Sequence, residues 1–156
     1  MIRIKKVKIG SDKKITMAYD QFNKNGVWDE YSFTCSDLAR RSFYGAMEDL
    51  AKHVVEMCEL PPEYVSKIEV RSVSVSYGGE KEVMGATISA QMKLENSNCN
   101  LNLNTPHKAS DSYSDGPADD KQILPPKCIV DLNALYAECE LYINGDRAQT
   151  SLFSVA

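Results

Sequence analysis

The chain has 156 residues, 43% hydrophobic and 26% charged, with a net charge of −4 and a pI near 5.2. This is the composition of a single globular domain large enough to bury a core without staples. It disfavours a body that grips nucleic-acid phosphates, which needs a basic face, and it contains no apolar run long enough to span a membrane.

The N-terminus, "MIRIKKVKIG", lacks the apolar stretch of a signal peptide, so a cytoplasmic location is expected. The five cysteines, Cys35, Cys58, Cys99, Cys128 and Cys139, form no C-x-x-C pair. They read as reduced thiols rather than as a zinc or disulfide framework.

Residues 1–35 predict three strands. In "IRIKKVKI" the apolar parity changes from Ile2 and Ile4 to Val7 and Ile9, which implies a bulge near Lys5-Lys6. "ITMAY" places Ile15, Met17 and Tyr19 on one face, and Asn25-Gly26 marks a hairpin into "VWDEYSFTC". Lys5, Lys6, Lys8, Lys13 and Lys14 are read as protection of a sheet edge.

A helix over 37–59 follows, capped by Ser36 or Asp37, with Phe43, Met47, Leu50, Val54 and Met57 as its apolar stripe. His53 sits beside that stripe, a boundary position. Pro61-Pro62 end the helix.

A strand over 67–77 again switches parity, and "GGEK" turns it into "VMGATISAQMKL", whose strict alternation marks a half-buried strand. Residues 95–124 form an irregular loop containing one short strand at "NLNL". Pro125-Pro126 open a helix over 126–144 with a stripe of Ile129, Leu132, Tyr136, Cys139 and Ile143, closed by Gly145. The expected fold is α+β: an antiparallel sheet of about five to six strands against two helices, in the order βββαββ(β)α. Residues 1–145 form the domain, and 146–156 a flexible C-terminal tail.

No catalytic fingerprint is present, and neither of the two histidines has metal-ligand spacing. The chain therefore reads as a non-enzyme with no cofactor and no metal. The stretch "NLNTPHKAS" offers amide, hydroxyl, imidazole and ammonium groups on Asn102, Asn104, Thr105, His107 and Lys108. Such groups can read a base or ribose edge and a phosphate, and Tyr113 adds a stacking face. Asparagines that simply satisfy local turns are the competing explanation.

Near the end, Gln149, Leu152 and Phe153 form Gln-x-x-Leu-Phe. This resembles the peptide by which bacterial replication and repair proteins dock on the DNA polymerase sliding clamp. Two adjacent apolar side chains can enter a groove with few other contacts. Folding back of Leu152 and Phe153 on the last helix is the alternative.

The stretches "SYGGEKEVMGATISAQMKLENSNCNLNLNTPHKAS" and "GDRAQTSLF" resemble a family of small accessory proteins of tailed phages and prophages of Gram-positive gut bacteria. That resemblance implies action inside a bacterial host cell and carries no site residues with it. Together these features lead to the expectation of a non-catalytic, homo-oligomeric binder of a small nucleotide-type ligand, as in anti-defence sponges that sequester host immune signals. The alternative is a clamp-tethered helper of phage replication or recombination.

Overall fold

The computed structural model describes residues 1–113, 116 and 119–148. Seven strands run as β1 (Ile2–Ile9), β2 (Ile15–Phe22), β3 (Trp28–Cys35), β4 (Ile68–Gly78), β5 (Val83–Met92), β6 (Leu101–Asn104) and β7 (Lys108–Ala109). The helices are α1 (Arg41–Glu48), α2 (Ala51–Met57) and α3 (Pro126–Ile143). The architecture is α+β, as expected: one antiparallel sheet in the order β3-β2-β1-β4-β5-β6, with β7 also on β5, and the helices of the described residues pack on one face.

Both parity switches are bulges. The β1–β2 register shifts between Ile4 and Lys6, and the β4–β5 register shifts between Val70 and Ser72. An extra residue in one strand turns later side chains to the other face. Hence Val7, Ile15, Met17, Val73 and Ile88 meet Phe43, Leu50, Val54, Leu132 and Leu135 in the core. Tyr77 Oη donates to the Ile4 carbonyl at 2.9 Å, tying β4 to the first bulge.

Three expectations about the helices need correction. The helix over 37–59 is two helices, because Leu50 N–H bonds to the Met47 carbonyl and tightens the turn between them. Neither Ser36 nor Asp37 caps it, since helical geometry starts after Arg40, and Asp37 Oδ2 instead accepts from Arg147 at 2.6 Å. The buried stripe of α3 is Cys128, Leu132, Leu135, Cys139 and Tyr142. It lies to one side of the expected stripe because Ile129, Tyr136 and Ile143 flank it, only partly buried.

The lysines do not guard an edge. β1 pairs with both β2 and β4 and is therefore an interior strand. Past α3 the chain turns back onto the β3–α1 corner. Arg40 pairs with Asp146 at 3.2 Å, the Arg147 guanidinium lies over the Tyr142 ring, and Ala148 N–H bonds to the Leu38 carbonyl. Gln149, Leu152 and Phe153 lie outside the described residues.

Candidate functional site

With helices on one face, the alternate residues of every strand line the other. Following direct cross-strand partners, Thr34, Thr16, Lys8, Ser72, Ser89 and Asn104 form one row across six strands. The adjacent row is Ser32, Ala18, Lys6, Ser74 and Thr87. Neither row contains an acid or a large apolar side chain. At roughly 4.8 Å between strands, the stretch from Lys8 to Asn104 spans about 14 Å.

Part of this face is hydrogen-bonded within itself. The Thr16 and Thr34 hydroxyls lie 2.9 Å apart, and Ser89 Oγ donates to Asn104 Oδ1 at 2.6 Å. Lys6, Lys8, Ser72, Ser74 and Thr87 have no side-chain hydrogen bond or ion pair with any described residue.

At one end of the rows, Arg71 is the extra residue of the β4 bulge. It reaches Gln91 Oε1 at 3.5 Å, while its Nε is buried without an acceptor. Gln91 Nε2 in turn donates to Asn102 Oδ1 at 3.4 Å. These are long bonds that a better acceptor would displace.

At the other end, His107 lies across the sheet face. Its Nε2 is 2.8 Å from Ser76 Oγ. It fits there because residue 85 is glycine: a Cβ at Gly85 would stand 2.6 Å from Nε2 and 3.0 Å from Ser76 Oγ. Tyr113 is placed by the same device, since a Cβ at Gly78 would lie 2.9 Å from its ring.

The expected ligand loop is thus divided. Asn102, Asn104, His107 and Tyr113 belong to the uncovered side of the sheet. Thr105 is buried and serves the ladder, its Oγ1 accepting from Ile88 N–H at 2.9 Å. Lys108 sits opposite Ala86, a core-facing residue, so it points to the helical side. There it lines a groove of about 510 Å³ with Glu56, Glu59 and Lys121. His107 and Lys108, adjacent in a strand-like segment, therefore face opposite ways.

Ser76 and His107 have the spacing of a nucleophile and its base. However, His107 Nδ1 has no partner among the described residues to orient the ring, and the pair lies on an exposed sheet face. Cys99 and His107 lie at opposite ends of β5, since β6 between them pairs along Met92 to Ser89 and His107 sits over Gly85.

The hydrogen-bond partner of one histidine escaped the sequence reading. His53 is buried, not at a boundary, and its Nε2 meets Asp131 Oδ2 at 2.6 Å. Asp131 also pairs with Lys52 at 3.3 Å. The His53 hydrogen bond, helped by Lys52, holds the Asp131 carboxyl below the usual carboxylate range. Nearby, burial and then the charges of Asp131 and Glu56 push the Cys128 thiol up to about 12, so it is an inert packing group. The signal for this pair was non-local: 78 residues separate His53 from Asp131.

Among the described residues no three His, Cys, Asp or Glu side chains are grouped to hold a metal, and no helix is long and apolar enough to cross a membrane. Compared with protein-family models, curated proteins and solved structures, the chain matches none.

Proposed function

We propose that the protein is a non-catalytic binder of a small nucleotide-type anion, held on the uncovered sheet face. The observation that carries this reading is the pair Lys6 and Lys8. Both stand on an interior strand among hydroxyl and amide groups, without an acidic partner in either row. A phosphate set between them would gain two charge-assisted bonds. Ser72, Ser89 and Asn104 offer donors and acceptors to a sugar or base edge, and Tyr113 stands beyond His107 as a flat surface. In this reading Lys6 and Lys8 take the phosphate role that the sequence had given to His107 and Lys108.

In a phage accessory protein, such binding would sequester a host nucleotide signal without any chemical step. The test is to denature purified protein from expressing cells and identify released small molecules by mass spectrometry. A nucleotide should be released from the wild type and lost from Lys6→Ala/Lys8→Ala, while Lys108→Ala retains it. A folded protein that releases no nucleotide and binds none from a panel of mono-, di- and cyclic nucleotides removes this reading.

A second reading rests on Gln149, Leu152 and Phe153. A peptide spanning 146–156 should bind a bacterial sliding clamp in a polarisation assay, and Phe153→Ala should abolish that binding. No binding at high micromolar clamp concentrations ends the clamp reading.

A further inference from the structure

The two edges of the sheet are unlike. On one side, β6 has four residues, the chain kinks at Thr105-Pro106, and Ala109 bridges to Ile123. Short strands, proline and covering segments are the devices that keep an edge from pairing with another chain. On the other side, β3 pairs with β2 over eight consecutive residues without a register shift. It contains no proline and no lysine. Among the described residues no other strand pairs with it.

The phase of its free groups follows from one bond. Phe22 N–H donates to the Met1 carbonyl, away from β3. Backbone groups alternate in direction along a strand, so Gln21, Tyr19, Met17 and Ile15 bond to Asp29, Tyr31, Phe33 and Cys35. The N–H and C=O groups of Trp28, Glu30, Ser32 and Thr34 then point outward. That leaves a row of free donors and acceptors beside half-exposed Tyr31.

We infer that β3 is the surface through which two copies of this chain pair, antiparallel about a twofold axis at Tyr31, joining two sheets into one. The charge pattern selects that occupant and register. With the axis at Tyr31, Glu30 faces Ser32 of the second copy and Asp29 faces its Phe33, so no carboxylate opposes another. All four outward residues are paired, and the two Tyr31 rings meet at the axis. Moving the axis to Glu30 sets two glutamates face to face, which is unfavourable. Moving it to Ser32 pairs Trp28 with Ser36, beyond the strand. A parallel arrangement brings the acidic ends of both strands together.

Sedimentation equilibrium of the full chain at tens of micromolar should give twice the 17.4 kDa chain mass. Ser32→Pro removes an outward N–H that β2 does not use, so it should halve the mass and leave the circular dichroism spectrum unchanged. Tyr31→Cys places two thiols at a non-hydrogen-bonded pair, where Cα atoms are about 4.5 Å apart, within disulfide reach. Mild oxidation should therefore link Tyr31→Cys into a dimer, and should not link Ser11→Cys in the β1–β2 turn. A wild type of single-chain mass overturns the proposal. So does a dimer in which Tyr31→Cys links no better than Ser11→Cys.

Discussion

The two faces of the sheet are made by the same strands, one residue out of step, and they differ sharply in what meets them. On the helical face, Val7, Met17, Val73 and Ile88 are fully buried and pack in the core. On the other face, Lys8, Ser72 and Ser89 are their immediate chain neighbours, yet no helix among the described residues covers them. The bulges at Lys5 and Arg71 make this division possible, because each resets the parity of a strand that would otherwise send lysine or arginine inward. Stability and the proposed recognition should therefore be separable, by substitutions one residue apart.

The largest effect should come from the buried face. Leu132 is fully buried on α3, and Leu132→Ala should cost about 2–5 kcal/mol in urea unfolding, through lost transfer energy and the cavity left behind. A loss below 1 kcal/mol would show that the helical layer is not the core it is taken to be.

Thr105→Val comes next. It keeps the shape but removes the acceptor of Ile88 N–H, leaving a buried donor unpaired at a cost of about 1–3 kcal/mol. Hydrogen exchange should quicken at the Ile88 amide first. If that amide stays as protected as in the wild type, Thr105 is not part of the ladder.

Smaller still is the contribution of Asp131. Its folded pKa is depressed, chiefly by the His53 hydrogen bond, so its stabilisation is present above the ordinary carboxylate pKa and fades as pH falls through the depressed value. Asp131→Asn should melt below the wild type at pH 7, and the two curves should converge as pH falls below the ordinary aspartate pKa of about 3.9. A gap that stays constant across that range would mean that the carboxylate's charge contributes nothing.

Last is the open face itself. Lys6→Ala/Lys8→Ala should change unfolding free energy by less than about 0.5 kcal/mol, even while it abolishes ligand retention. A large stability loss would mean that the two faces are not separable.

How much of this was legible beforehand depended on distance along the chain. Ile15 to Tyr19, Val83 to Met92 and both bulges could be read because alternation is a local property. The position of β1 could not, since its pairing of Val7 with Val73 joins segments far apart in sequence. That single unknown turned Lys6 and Lys8 from lysines on a free edge into lysines at the centre of a face. The His53–Asp131 pair was hidden for the same reason. The separation of His107 from Lys108 was hidden differently. Residues 108–109 form so short a strand that the sequence reads as loop, and a loop gives no rule for which way neighbours point. Asn102 and Asn104 were recoverable, since they alternate with Leu101 and Leu103.

The bond from Ala148 N–H to the Leu38 carbonyl fixes where the chain stands just before Gln149. A docking peptide usually hangs from a linker, and the cargo then wanders within a sphere set by linker length. Here Gln149 follows an anchored residue directly. The chain is thus fastened to the corner between β3 and α1 up to the residue before Gln149.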